Sequence, residues 1–130
     1  MKTVFLFLVI SLSSFVRVDA ENYKLYPVKI GNMYGYMNSQ GVIKIPALFE
    51  KAFDFREGYA AVVSGSKYGF IDIAGDWLVM PKYLNVKDFS EGLAAVENNE
   101  QKWGFINDEG EIIIDFKYDC AESFFHEVAS

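Results

Sequence analysis

A short pattern that occurs three times is the feature that most constrains how this chain can fold. Each copy opens with an aromatic residue and a glycine and closes with asparagine or aspartate, at 34–38, 68–72 and 103–107. The copies start 34 and 35 residues apart. A fixed period of this length is typical of repeat proteins, in which one structural unit cannot bury its own apolar face and packs against its neighbours.

Further positions repeat in the same register. A second glycine lies six residues after the first, and an aromatic residue lies eight residues beyond it. Chain length varies by one residue only just before the next aromatic residue, which predicts a surface hairpin loop at that point. The residues that define the repeat are Tyr34, Gly35, Gly41, Gly58, Tyr68, Gly69, Gly75, Gly92, Trp103, Gly104 and Gly110.

Each copy is predicted to contain three β-strands. The first begins at the aromatic residue, the second follows the second glycine (42–45, 76–79 and 111–114), and the third holds an Ala-Ala-Val run. Between the first two, Asn or Asp and Gly are the residues that hairpin turns require. The stretch from about 81 to 89 is compatible with a short helical turn or an extended crossover. The predicted fold is therefore an all-β, short solenoid-like array of antiparallel β-hairpin repeats.

The aromatic-glycine pair calls for a packing explanation. Successive strand residues face opposite ways, so Tyr68 and Phe70 are expected on one face and Gly69 and Ile71 on the other. Glycine weakens a strand unless something lies close over it, and we expect an aromatic ring from a neighbouring strand or repeat there. Trp103 is interpreted as a core residue, because large rings that recur at a structural period usually fill the core.

The pattern resembles the WG repeat, also called the KWG repeat, a β-rich repeat found mainly in bacterial proteins. The resemblance rests on residues 102–110, 81–83 and 89–96. Tyrosine replaces the tryptophan at 34 and 68, Asp-Phe stands at 115–116 where the other copies have a proline, and 125–130 keep little of the motif. The resemblance implies an array of unknown or interaction-type role.

The chain before the repeats is of a different kind. Lys2, an apolar run from 4 to 10 and a small-residue ending predict a signal peptide, cleaved between Ala20 and Glu21. A signal anchor is the competing interpretation, but serines interrupt the apolar run that a spanning helix needs. The predicted product is secreted, periplasmic or in the cell envelope, with no membrane span in the mature chain.

The predicted division of the chain follows from these features. Residues 25–30 are read as the incoming strand of a half repeat, with Pro27 suited to a sheet edge. The predicted segments are a signal peptide at 1–20, an N-terminal half repeat at 21–33, repeats at 34–67 and 68–102, and an incomplete repeat at 103–130.

Composition narrows the chemistry. Cleavage would remove two of the 12 basic and one of the 18 acidic residues, so the formal charge would change from −6 to −7, which disfavours nucleic acid as a partner. His126 is the only histidine and Cys120 the only cysteine. Neither a zinc-type cluster nor an internal disulfide is expected, and no cofactor, metal or catalytic residue is predicted. Cys120 is expected to be partly exposed.

Recurring acidic residues are the remaining candidates for chemistry. Glu57, Glu91 and Glu127 recur at the repeat spacing, and Asp54 and Asp88 lie three residues before the first two. They could bind calcium or act as an acid–base pair, but recurrence favours a role in every repeat. The prediction is an exported, non-enzymatic binding or scaffold module for a protein or glycan, with self-association through the C-terminal edge. A small hydrolase using acidic residues and an inactive fragment of a longer array are the alternatives.

Overall fold

The computed structural model describes residues 24–120, which form eleven β-strands. No helix that could span a membrane occurs in this range. The predictions that concern the cleavage site at Ala20, His126 and Glu127 lie outside the described residues. In chain order the strands are β1 Tyr26–Ile30, β2 Met33–Met37, β3 Ile43–Phe49, β4 Lys51–Arg56, β5 Tyr59–Ser64, β6 Lys67–Asp72, β7 Trp77–Tyr83, β8 Asn85–Val86, β9 Leu93–Glu97, β10 Trp103–Asn107 and β11 Ile112–Tyr118.

These strands form three antiparallel sheets, as the repeat pattern predicts. Sheet 1 has the order β1-β2-β3, sheet 2 has β4-β5-β6-β7, and sheet 3 has β8-β9-β10-β11. A single residue, Glu50, separates the last strand of sheet 1 from the first strand of sheet 2, and Leu84 plays the same part between sheets 2 and 3. The repeats at 34–67 and 68–102 therefore each supply two strands to one sheet and two to the next.

The expected number of strands in each copy is wrong. The segment from 34 to 67 contains most of β2 and all of β3, β4 and β5, so the stretch whose conformation the sequence left open is extended. The second strands are also longer than predicted, since β3 runs through Pro46 and β7 through Pro81. Both are edge strands of their sheets, where the missing proline N–H need not join a ladder.

The expected incoming strand is confirmed. Strand β1 pairs with β2 from Tyr26 opposite Met37 to Ile30 opposite Met33, and Pro27 lies on the edge of sheet 1. Gly31 adopts a φ of +66° in the connecting turn, a conformation that glycine adopts without steric cost.

The core lies between neighbouring sheets. Tyr36 of sheet 1 and Ile71 of sheet 2, both 0% exposed, belong to one buried cluster. Phe70 of sheet 2 and Ile106 of sheet 3, also 0% exposed, belong to the next. Sheet 2 thus buries both faces, and its strands are apolar at successive positions rather than alternating with polar residues.

Candidate functional site

The glycine of the aromatic-glycine pair lies under the backbone of the neighbouring strand. Residue 68 pairs with Tyr83 and residue 70 with Val79, so β7 holds a bulge opposite Gly69. A Cβ atom on Gly69 would lie 2.5 Å from the carbonyl oxygen of Val79 and 2.9 Å from the nitrogen of Pro81. Glycine is needed because the bulged main chain occupies the place of a side chain.

This contact corrects the expectation that a ring covers the glycine. At Gly35 the nearest atoms belong to the main chain of residues 45–47, and a ring takes part only at Gly104. There Phe116 lies 3.2 Å from the Cβ position, beside the main chain of Ile114 and Asp115. The predicted facing of the strand is right, since Phe70 and Ile71 belong to different interfaces. Trp103 is 7% exposed and clusters with Phe105 and Tyr118.

The second glycine of each copy completes a hairpin turn. Gly41, Gly75 and Gly110 have φ values of +79°, +87° and +78°. The Asn38 side-chain oxygen accepts hydrogen bonds from the N–H groups of Gln40 and Val42 at 2.9 and 3.0 Å. Asp72 and Asn107 make the equivalent bonds in their turns. The polar residue that closes the repeated pattern is thus a turn residue, as its position predicts.

The first of the recurring glutamates, Glu57, joins its repeat to the next. The carboxylate of Glu57 accepts hydrogen bonds from the backbone N–H groups of Glu91 at 2.7 Å and Gly92 at 2.9 Å, across 34 and 35 residues of sequence. Glu57 and Glu91 have φ values of +53° and +52°, and the glycine that follows each is also left-handed, so the two turns have the same backbone conformation. One acidic side chain therefore holds the following turn in place.

Loss of that link has a measurable cost. Glu57→Ala is expected to lower the free energy of unfolding by about 1 kcal/mol, since two charge-assisted hydrogen bonds are lost at an exposed site. The measurement is urea unfolding followed by circular dichroism. Glu100→Ala, in the loop before β10, is the control and should stay within about 0.5 kcal/mol of the parent protein. Equal values for the two variants would contradict a linking role for Glu57.

The neighbouring aspartates are held by an arginine. Arg56 lies 3.9 Å from Asp54 and 3.9 Å from Asp88, its counterpart in the next repeat, and all three side chains are at least half exposed. Among residues 24–120, no group of three or more acidic, histidine or cysteine side chains is placed to hold a metal ion. Cys120 is exposed, as its position predicts.

Exposed apolar side chains are concentrated on the last strands of the three sheets. Strands β3, β7 and β11 are the last strands of their sheets, and they carry six of the ten large hydrophobic residues that are exposed in the described part of the chain. We name this set the edge-strand surface; its members are Ile43, Leu48, Trp77, Met80, Ile112 and Ile113. Leu48 and Met80 are each 65% exposed.

Two concave sites lie elsewhere on the stack. The larger, the N-terminal pocket, has a volume of about 700 Å³ and is lined by Lys24, Leu25, Tyr26, Asp54, Phe55, Arg56, Gly58 and Ile73. The smaller is a hollow of about 130 Å³ beside Phe53, whose ring stacks on Tyr68 with centroids 6.0 Å apart. Asn85 and Asp88 also line this hollow.

A buried tyrosine is the most strongly perturbed titratable group among residues 24–120. Burial raises the pKa of Tyr36 far above its ordinary value, and the hydroxyl donates a 2.6 Å hydrogen bond to the carbonyl oxygen of Phe53. The buried phenol of Tyr36 therefore stays protonated and serves the sheet interface. Burial also raises the pKa of Tyr83.

Two glutamates at the exposed turn near 110 affect each other. The hydrogen bond with Glu111 raises the pKa of Glu109, and the hydrogen bond from the Asn107 amide lowers the pKa of Glu111.

The sequence predicted the hairpin turns but not the N-terminal pocket or the edge-strand surface. The repeat-defining glycines lie apart, in turns and under bulges, and none lines the smaller hollow. No sequence motif marks the N-terminal pocket or the edge-strand surface. One sequence signal could have indicated the edge-strand surface: the first residues of β3, β7 and β11, which are Ile43, Trp77 and Ile112, are large and apolar at the repeat spacing.

Comparison with known families gives one match. A family described as the WG containing repeat matches residues 34–68, 68–101 and 103–129. The three matched segments cover most of the chain, and each begins at the aromatic residue of its copy. Neither the curated proteins nor the solved structures give a significant match.

Proposed function

Because the chain belongs to the family of WG containing repeats, we propose that it is a non-enzymatic binding module that recognises an apolar segment of a partner protein through the edge-strand surface. The observation that carries the proposal is the concentration of six of the ten exposed large hydrophobic residues of the described chain on three edge strands. Contiguous exposed apolar surface is a mark of interaction sites. Repeat arrays present such surfaces along the stack.

The edge strands favour recognition by side chains over addition of a new strand. An unpaired edge is a template for a further strand, but proline and bulges blunt it. Pro46 and Pro81 lie within β3 and β7, and bulges interrupt the pairing of β3, β7 and β11. A partner is therefore expected to contribute apolar side chains that pack against Met80 and its neighbours.

The positions of the acidic residues support a non-enzymatic role. Glu57 is committed to the turn of the next repeat, and Asp54 and Asp88 share Arg56. Repeated carboxylates that join repeats are not a single asymmetric acid–base pair of the kind that a hydrolase needs. The overall negative charge likewise argues against a nucleic-acid partner.

A glycan is the second candidate partner. Phe53 is 40% exposed, stacks on Tyr68, and lies beside the polar side chains of Asn85 and Asp88. An exposed ring with an amide and a carboxylate at its rim suits the apolar face and the hydroxyl groups of a sugar.

The proposal also includes export to the cell surface or envelope. It further includes self-association through the C-terminal edge, where β11 ends sheet 3.

A displayed peptide library tests the proposed function. Peptides selected on the protein from a random twelve-residue phage library are expected to be rich in apolar residues. The double variant Met80→Lys and Ile113→Lys should weaken their binding at least about tenfold, equivalent to the loss of one or two buried apolar contacts. Ile30→Lys, at an exposed apolar position on β1, is the control and should leave the affinity unchanged.

Two results would contradict the protein-binding proposal. One is a selection that enriches no peptides, and the other is equal loss of affinity in the edge-strand variant and in Ile30→Lys. A glycan array screened with the same three proteins and with Phe53→Ala separates the second candidate. Glycan binding that Phe53→Ala abolishes and the Met80→Lys, Ile113→Lys double variant leaves intact would assign the partner to the carbohydrate class.

A further inference from the structure

Two equivalent positions in adjacent repeats differ in a way that leaves space open. The pairing of Tyr26 with Met37 in sheet 1 corresponds to the pairing of Ala60 with Ile71 in sheet 2. The residues that precede Tyr26 and Ala60 are therefore equivalent to each other. They are Leu25 and Tyr59. A tyrosine ring with a hydroxyl group at one interface is replaced by a shorter aliphatic chain at the other.

Tyr59 shows what the equivalent site holds when it is filled. Its ring packs against Phe89 with centroids 5.1 Å apart. Its hydroxyl donates a 3.0 Å hydrogen bond to the carbonyl oxygen of Asp108, in the turn of sheet 3. The ring and its hydroxyl thus bridge a phenylalanine and a turn of the next sheet.

The same surroundings exist around Leu25 without the ring. Phe55 occupies the position of Phe89, and Ile73 occupies the position of Asp108 in the preceding turn. Both line the N-terminal pocket together with Leu25 and Gly58, and its volume of about 700 Å³ lies within the usual range for small-molecule sites. Leu93 is the third residue at this position, so Tyr59 is the one copy that shows how a phenolic ring packs there, and the N-terminal pocket lies at the corresponding place in the first copy.

We propose that the N-terminal pocket binds a phenolic ring with the chemistry of a tyrosine side chain. The ring would pack on Phe55, and the hydroxyl would donate to the Ile73 carbonyl oxygen as Tyr59 donates to that of Asp108. Lys24, Arg56 and Asp54 also line the pocket, and Asp54 lies 3.9 Å from Arg56, so the carboxylate of an amino acid would meet Lys24 or Arg56 and its ammonium would meet Asp54. This site is separate from the edge-strand surface and does not depend on it.

A titration with p-cresol, the side-chain analogue of tyrosine, tests the proposal. Two-dimensional ¹⁵N NMR spectra of the protein are expected to show shifts confined to residues around Leu25, Phe55, Gly58 and Ile73, with a Kd of about 1 mM, typical of a fragment of this size. The analogue 4-fluorotoluene, which has no hydroxyl, should bind about fivefold more weakly, since it loses one hydrogen bond. Shifts elsewhere, or none at 10 mM, approximately ten times the expected Kd, would overturn the proposal.

A substitution that the protein itself suggests is the decisive variant. Leu25→Tyr should fill the pocket with its own ring, abolish the p-cresol shifts, and keep a Tm no lower than that of the parent protein. Leu48→Tyr adds the same side chain on the edge-strand surface, where Leu48 is exposed, and should leave p-cresol binding unchanged. Undiminished p-cresol binding to a folded Leu25→Tyr protein would overturn the assignment.

The source of the ring is resolved by two further probes. Free tyrosine carries a carboxylate, which Lys24 or Arg56 would meet, and an ammonium, which Asp54 would meet. N-acetyltyrosine amide has neither charge and represents tyrosine within a peptide. Tighter binding of free tyrosine, weakened by Arg56→Gln, would indicate an amino-acid ligand. Tighter binding of the amide would indicate a tyrosine side chain of a partner protein. Failure of both to compete with p-cresol would overturn the link to tyrosine.

Discussion

Replacement of Gly69 by alanine is expected to lower the free energy of unfolding by about 3 kcal/mol, a cost at the upper end of that for overpacking, because the obstacle is main chain. The new Cβ atom would meet the carbonyl oxygen of Val79 at 2.5 Å and the nitrogen of Pro81 at 2.9 Å. Neither atom belongs to a flexible side chain. The strand or its bulge must move, which disturbs the pairing of β6 with β7.

Gly65→Ala is the matched control for this experiment. Gly65 has a φ of +60° and no atom within 4 Å of its Cβ position, so alanine there meets backbone strain without a clash. We expect a cost of about 1 kcal/mol at that position. Guanidinium unfolding followed by fluorescence measures both. Similar values for the two variants would mean that the bulged strand does not require glycine at position 69.

Truncation of Phe70 is expected to cost about 4 kcal/mol, within the range for removing a fully buried phenylalanine ring. Phe70 is 0% exposed and meets Phe89 edge to face with centroids 4.9 Å apart. Phe89 belongs to the segment between β8 and β9, so this pair joins sheet 2 to sheet 3. Phe70→Ala therefore removes the centre of the second interface.

The size of this effect is best measured by thermal unfolding. For a domain of this size, 4 kcal/mol corresponds to a fall in Tm of roughly 15 to 30 °C. Phe53→Ala removes a ring that is 40% exposed and should cost about 1 kcal/mol. A Phe70→Ala protein with a Tm within a few degrees of the parent protein would contradict the view that the sheets depend on each other through this core.

The turns were predictable from the sequence because their chemistry is local. Asn38 hydrogen-bonds groups two and four residues away, and Gly41 adopts a positive φ within the same turn. Such interactions depend only on neighbours along the chain. The repeat period indicates in addition that the hairpins are structurally equivalent, and equivalent hairpins predict an all-β stack.

The glycine contact was not predictable in the same way. The sequence indicates that something lies close to Gly69, but a ring and a bulged main chain satisfy that condition equally well. Only the pairing of β6 with β7 shows that the main chain of β7 does so. A bulge forms through contacts between strands, and its position is not written in either strand alone.

By itself the sequence determined the period, the hairpin turns and the alternation that places Phe70 and Ile71 on opposite faces. Tertiary structure alone decided that the repeats at 34–67 and 68–102 divide between two sheets, that Glu57 binds the backbone of Glu91 and Gly92, and that a pocket lies beside Leu25. The physical reason is range. Turn conformations depend on adjacent residues, whereas the partner of a carboxylate or the filling of a pocket depends on residues that only folding brings together.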